Sequence, residues 1–394
     1  MIALDALSFL EQRYPDESIT LVSQTEQRPT DWIKGAAALA LKQARDTSPA
    51  EAGVVSFGEL LLRLAAPDHG RLDRATQLDV HFGGAESNVA VALAQMGLRS
   101  RFVSRVPDNA IAKAGLGMMH GLRVDISRVI FGGDRLGIYF LESGVSQRPS
   151  RVIYDRSGSS MAAITAGEVD WGEVLHGHQW LHTSGITPAL SQSAATACVE
   201  AVKAAKRASL TVSVDLNYRN QLWRWASSPT ETMSALLDHA DVVFTNEEDL
   251  DMVFGIKVPS PLTGGLALDP RRYSGPCSEL QNRFPSLRAV AVTVRESVSA
   301  SDNYWSAALS TKSGFYTSHR YHIMPVLDRV GAGDAFAAAA IRQMILGTAD
   351  DQEVVEFAAA AGCLKHSIRG DWNLVSLDEI DRLLQGDGTG RILR

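Results

Sequence analysis

From about residue 175 to residue 366, short apolar strands alternate with helices, and that alternation restricts the chain to few folds. Trp180-Leu181-His182-Thr183, Leu210 to Leu216, Asp241 to Thr245 and Ala289 to Val294 read as strands. Gln192 to Ala208, Asp334 to Leu346 and Gln352 to His366 read as helices. Strands joined through helices run parallel, and a parallel sheet needs both of its faces covered. The expected class is therefore α/β, with ligands lying beyond the carboxyl ends of the strands. At 394 residues the chain has room for one large domain of this kind with an insertion.

The pattern starts at Val54. Val54-Val55-Ser56-Phe57-Gly58 reads as a buried strand, and Gly83-Gly84 precedes a helix from Glu86 to Met96 that Gly97 closes. Arg101 to Val106 reads as a strand. Leu136 to Leu141 and Arg151 to Tyr154 read as two more, joined by a polar loop and suited to a hairpin lying over a site. Residues 1–52 stand apart. Trp32 to Arg45 fits a helix with Asp31 as N-cap. The segment carries no chemical motif and is read as a non-catalytic extension: a packing arm, a dimer contact or a regulatory element.

Charge and cysteines narrow the partners. The net charge of −7 argues against nucleic acid and against anionic membrane, so an anionic substrate must be held by local cations or amides. Cys198, Cys277 and Cys363 are odd in number and lack CxxC spacing, which favours buried thiols in a reducing cytoplasm over disulfides or a zinc site. No apolar run approaches the roughly 20 residues of a membrane span. Asp5 near the start, without a basic segment and apolar core behind it, argues against a secretory signal. The ten His show no metal-binding spacing. Trp223, Trp225 and Trp305 read as core or loop anchors.

The sharpest local feature is Asp328-Arg329-Val330-Gly331-Ala332-Gly333-Asp334-Ala335-Phe336, between a strand-like stretch, Tyr321 to Val326, and an alanine-rich helix. Glycines allow a tight turn and close approach of a ligand. Free amides at a helix start form an anion site, reinforced by the helix dipole. A carboxylate there, Asp334, is placed to take a proton from a hydroxyl attacking a phosphate. Alone, the same residue reads first as a helix cap.

Together with Gly83-Gly84-Ala85-Glu86-Ser87-Asn88-Val89-Ala90, this motif resembles the two signatures of the ribokinase-like (phosphofructokinase-B) carbohydrate kinases. Asp134 to Phe140, Thr183 to Leu190, Asp215-Leu216-Asn217-Tyr218-Arg219, Leu364-Lys365-His366 and Gly386 to Arg391 are similar to its 2-keto-3-deoxygluconate kinase branch. The resemblance covers about residues 54 to 394. It implies a doubly wound α/β sandwich with a small β-sheet lid, formed here by about 60–83 and 134–156.

It also implies roles. Asp334 becomes the general base, in a catalytic turn with Gly331, Ala332 and Gly333, and the amides of Ala332, Gly333 and Asp334 face the transferring phosphate. Gly83 and Gly84 admit the sugar close to the backbone, Asn88 contacts a sugar hydroxyl, and Tyr139 and Tyr154 line the pocket. Arg156 and Arg219 grip a substrate carboxylate, for which a planar guanidinium is suited; the alternative is that each pairs with a protein carboxylate. Asp215 bonds the sugar or holds Arg219. Asn246, Thr293 and Arg295, with Gly331 and Gly333, fall at the nucleotide, ATP.

Three departures from the family pattern matter. Asp249 stands where the Asn-x-x-Glu motif ends in Glu, and is expected to reach Mg2+ only through water. Residues 295–303 lack the usual glycines, so Arg295 or hydroxyls replace backbone amides there. Arg329 stands where many relatives have Thr, which leaves the neighbouring monovalent-cation site open. The combined expectation is ATP-dependent phosphorylation of 2-keto-3-deoxygluconate to its 6-phosphate, with a homodimer or higher homo-oligomer following from the resemblance alone. Alternatives are a fructose or other ketose kinase, and a non-catalytic sugar-acid sensor. The gluconate or galactonate epimer is not fixed.

Overall fold

The structure, a computed structural model, describes residues 52–225, 228–260 and 269–386. The expected helix at 32–45 and the role of residues 1–51 lie outside these. Val- and Ala-rich strands assemble a ten-stranded sheet. In spatial order its main path runs Phe315–Thr317, Asn303–Thr311, Ala289–Ser297, Val242–Thr245, Thr211–Asp215, Trp180–Ser184, Gly53–Phe57, Arg99–Val103 and Val124–Asp125. The seven strands from Ala289–Ser297 to Val124–Asp125 pair in parallel, and the remaining edge is antiparallel.

Alternate side chains serve the two faces. Val55, Phe57, Leu181, Val212, Val214, Val243 and Val292 pack with residues of helices Gln192–Arg207, Pro229–Leu237, Glu247–Phe254 and Ser274–Arg283. His182 and Phe244 turn the other way, and Phe244 meets Phe336 of helix Ala332–Leu346 edge to face. Ala337 to Ala340 of that helix are buried, and small side chains there let helix Asp351–Lys365 pack closely beside it.

A separate four-stranded sheet, the lid, runs Asp79–Gly83, Leu61–Ala65, Gly137–Glu142, Arg151–Asp155. The last two strands pair antiparallel, and Leu61–Ala65 pairs parallel with Gly137–Glu142. The register aligns His81, Arg63, Tyr139 and Tyr154 in one row across all four strands. Side chains of one row share a face.

Local boundaries differ from the sequence reading in three places. The strand expected at 101–106 breaks at Ser104: Arg99–Val103 stays in the main sheet, and Arg105–Val106 pairs with Ile130–Phe131. The stretch expected at 321–326 is paired only over Tyr321–Ile323, because Pro325 has no amide to donate. The strand from Ala289 runs on to Ser297 and returns at Asn303, so a β-hairpin replaces a loop. No described helix is long and apolar enough to cross a membrane. Cys198 and Cys277 are buried and Cys363 partly so, all three as free thiols that burial pushes up in pKa.

Candidate active site

Asp334 is the third residue of helix Ala332–Leu346, whose N-cap is Gly331 at φ 83°. A Cβ on Gly331 would strike the carbonyl of Asp371, so both the left-handed backbone and the close approach demand glycine. Gly333 is different: a Cβ there meets nothing within 4 Å, which leaves open space before the helix start. Ala332 N donates to Arg329 O at a long 3.4 Å, and Ala335 N to Gly331 O at 2.8 Å. The amides of Gly333 and Asp334 are the ones a helix start leaves without an intrahelical partner. Ala332, expected with them, is turned back on its own loop.

These two glycines make a paired prediction. Gly331→Ala should destabilise the protein by several kcal/mol through backbone strain and overlap. Gly333→Ala should keep its denaturation midpoint while losing turnover, because the added methyl fills only the open space. Equal stability of the two variants would contradict this.

The Asp334 carboxylate is buried and accepts a hydrogen bond from Asn88 Nδ2 at 2.6 Å. Burial raises its pKa to about 7; the Asn88 bond opposes the rise, and the nearby Asp371 and Glu86 add to it. The carboxylate is thus poised to exchange a proton near neutrality. Asn88 is buried, in contrast to an exposed helix start, and its Oδ1 has no protein partner. A buried acceptor without a partner fits a ligand hydroxyl. Glu86, two residues back, is fully buried beneath Ser184 N, Ser184 Oγ and Thr187 Oγ1, which all donate to it.

The two arginines part company. Arg156 is buried and donates Nε to Glu59 Oε2 at 2.7 Å, with a second guanidinium nitrogen also on that carboxylate. Ser159 Oγ donates to the same Glu59. Arg156 is therefore corrected: it answers a protein carboxylate, and a free carboxylate grip is not what its bonds provide. Arg219 is half-buried, donates Nη1 to Tyr218 O at 2.7 Å, and has no ion pair within 4 Å among the described residues. Burial lowers its pKa, but Tyr154, Asp249, Asp215 and Asp334 surround it and together raise it. Asp215, at the end of strand Thr211–Asp215, is pushed well up by burial, then by Asp249 and Asp334. No direct bond joins Asp215 to Arg219, so it does not hold that arginine in place.

Two further assignments meet protein partners. Gly83 and Gly84 were expected to admit the sugar. A Cβ on Gly83 would instead strike the Asp371 carboxylate, and one on Gly84, at φ 127°, the Glu59 carbonyl. Along the Cβ direction both glycines make room for protein. Asp249 is buried and uses Oδ1 to accept from Tyr218 N at 3.0 Å and Oδ2 from Asn246 Nδ2 at 2.9 Å. Its carboxylate braces the Arg219 loop against the helix that Asn246 caps, so the expected water-mediated metal contact is not what these bonds supply. Among the described residues no cluster of three His, Cys, Asp or Glu forms a metal cage. Magnesium keeps most of its waters and needs no such cage.

Beyond Thr293, which is partly buried, the hairpin carries Arg295. Arg295 is exposed to solvent yet crowded by protein, as a residue lining a cleft is; that crowding, then Arg329 and Arg219, disfavours its charge. Arg329 Nη2 donates to Ala300 O at 2.7 Å at the hairpin tip. The tip reaches the loop between the lid strands, where Ala300 N donates to Ser146 O at 2.8 Å. A fixed guanidinium thus stands beside the turn.

Tyr139 donates its hydroxyl to Asp371 Oδ2 at 2.6 Å, while Tyr154 lies 6.3 Å from it, ring to ring. Five residues of this site escaped the sequence reading as site residues: Glu59, Arg63, Glu86, Lys365 and Asp371. Arg63 left one trace, a charge inside the apolar run Leu60-Leu61-Leu62-Arg63-Leu64-Ala65.

The profile of the pfkB family carbohydrate kinases matches residues 51–271, more than half of the chain. The chain belongs to that family. A curated relative, the 2-dehydro-3-deoxygalactonokinase of Haloferax volcanii, is 30% identical over 342 residues, 86% of this chain and 98% of its own length. The crystal structure of 2-dehydro-3-deoxygluconokinase from Thermotoga maritima is 41% identical, with TM-score 0.80 over 86% of this chain and 99% of that one. A fructokinase structure with bound ATP from Xylella fastidiosa, at 19% identity and TM-score 0.69, covers 85% of this chain and 98% of its own and shares the fold. The protein is a carbohydrate kinase, so its two ligands are a sugar and ATP.

Proposed function

We propose that this kinase transfers the γ-phosphoryl group of ATP to the primary C6 hydroxyl of a 2-keto-3-deoxy sugar acid, the gluconate or galactonate epimer. One observation carries the acid: Arg219, among the described residues, has no protein carboxylate within 4 Å while standing close to Asp334. The names of the relatives from Haloferax volcanii and Thermotoga maritima support the substrate class.

In this reading the sugar lies between the lid and the carboxyl ends of the strands. Asn88 Oδ1 accepts from a sugar hydroxyl, Tyr154 lines the wall and Arg219 takes the carboxylate through its fork. Asp334 accepts the hydroxyl proton as the oxygen attacks phosphorus, and the amides of Gly333 and Asp334 face the charge that develops on the phosphoryl oxygens. Arg295 and Arg329 supply cations at the nucleotide phosphates, where glycines supply amides in relatives. Glu248, exposed beside Asn246, is an oxygen donor suited to the water shell of a magnesium ion, which would offset phosphate charge.

The test is product mapping. Incubated with ATP and either epimer, the kinase should yield ADP and a sugar acid carrying phosphate at C6, read by phosphorus–proton correlation in NMR. Absence of ADP with every sugar acid tried, or phosphate on another oxygen, would overturn the proposal.

A further inference from the structure

Between the lid and the Asp328–Asp334 turn lies a closed group of charges that the steps above do not use. Arg63, on the inner row of the lid, is buried and reaches Asp328 Oδ2 with one guanidinium nitrogen at 2.7 Å and Asp371 Oδ1 with another at 2.8 Å. Burial alone would lower its pKa, but the two carboxylates hold it above the ordinary arginine value. Lys365 is also buried, donates to Ile368 O at 3.0 Å and feels both carboxylates. Two cations thus balance two anions.

Each carboxylate is built into the turn. Asp328 Oδ1 accepts from Val330 N at 3.0 Å and Oδ2 from Gly370 N at 3.0 Å. The Asp371 carbonyl occupies the space that a side chain at Gly331 would need, and its carboxylate takes the Tyr139 hydroxyl and fills the space beside Gly83. The core therefore offers both anions and Lys365, and the lid offers the bridging cation, Arg63. Simple adhesion does not require this, since apolar residues of similar volume often hold two surfaces as well as a buried ion pair does. The bridge fixes direction, and it does so although Arg63 Nε is buried without a partner.

We propose that Arg63 is a positioning residue that locks the lid to the phosphate-facing turn through Asp328 and Asp371, so that the sugar-facing row and the Gly331–Asp334 turn keep one relative position. The proposal rests on the reading of Asp334 as the base.

Full-length Arg63→Met, Arg63→Lys and Asp371→Asn test it by amide hydrogen exchange without ligand and by steady-state kinetics. In Arg63→Met, exchange should quicken together in 61–65, 137–142 and 328–334, and kcat should fall by on the order of 10²-fold, the effect of misplacing reacting groups by about 1 Å. Arg63→Lys should recover part, because an ammonium cannot span both carboxylates. The pH profile separates positioning from mere stability. Asp334 is faced by the Asn88 amide, by Asp371, Glu86 and Asp215, and by Arg219 and Lys365. Asp371→Asn removes an anion beside Asp334 and should move the acidic limb of kcat/KM to lower pH.

Quickened exchange confined to the lid, with 328–334 as protected as in the parent protein, would overturn the proposal, as would an acidic limb that Asp371→Asn leaves unmoved or a kcat for Arg63→Lys no higher than that for Arg63→Met. If Arg63→Met does not fold, the Lys and Asn variants decide by the same criteria. The exchange arm needs no substrate, so its result stands apart from whether a sugar acid is turned over.

Discussion

Asp334→Asn should lower turnover by roughly 10² to 10⁴ while sugar binding survives, the range ascribed to loss of a general base. Asn keeps the size of the side chain, and its oxygen still accepts from Asn88, so the turn is preserved. The pKa of about 7 adds a pH signature. Asp334 must be ionised to accept a proton, so kcat/KM of the parent enzyme should fall as pH drops below about 7. Stability should run the other way. A carboxyl whose folded pKa lies above its unfolded value binds more protons when folded, so its contribution is lost as pH rises between the two values. Asp334→Asn should then denature no earlier than the parent protein at pH values above 7, and that control separates a missing base from a damaged fold. Turnover within threefold of the parent would remove Asp334 from the role.

The two arginines should fail in different ways. Arg156→Ala leaves Glu59 buried and unpaired, and breaking a buried pair from one side costs about 3–5 kcal/mol of stability. Its signature is a lowered denaturation midpoint, with acid and neutral sugars affected alike. Arg219→Ala should fold normally, having no ion pair within 4 Å among the described residues to lose. A hydrogen bond to a charged group contributes about 1.5–3 kcal/mol, so kcat/KM for the keto acid should drop roughly 10- to 150-fold. Fructose, which has no carboxylate, should lose much less. Lys at 219 should rescue part of the loss, since a point charge cannot reproduce the fork. A stable Arg156→Ala enzyme with selective loss of the acid would exchange the two assignments.

The contrast between these arginines shows where sequence is legible. Apolar strands such as Thr211–Asp215 and the glycine turn before Asp334 are local events, governed by periodicity and backbone freedom within a few residues, and both could be read directly. Side-chain pairing is not local. Arg156 meets a carboxylate 97 positions away, and Arg63 meets Asp371 across 308 positions, so nothing near either residue announces its partner. Gly83 and Gly84 make the same point: glycine reveals that something comes close, but not that along the Cβ direction it is the Asp371 carboxylate and the Glu59 carbonyl. At 297–303 the absent glycines signalled a departure from the family pattern, but the β-hairpin that stands there, with Arg329 bonded to its tip, rests on cross-strand pairing that no short window reveals.

The most direct measurement of the central claim is the ratio of kcat/KM for 2-keto-3-deoxygluconate or its galactonate epimer to that for fructose, under saturating ATP and magnesium. A site built around Arg219 and Asp334 predicts a ratio well above one in the parent enzyme, narrowed at least tenfold by Arg219→Ala. A parent enzyme that prefers fructose, or a ratio that Arg219→Ala leaves unchanged, would contradict it.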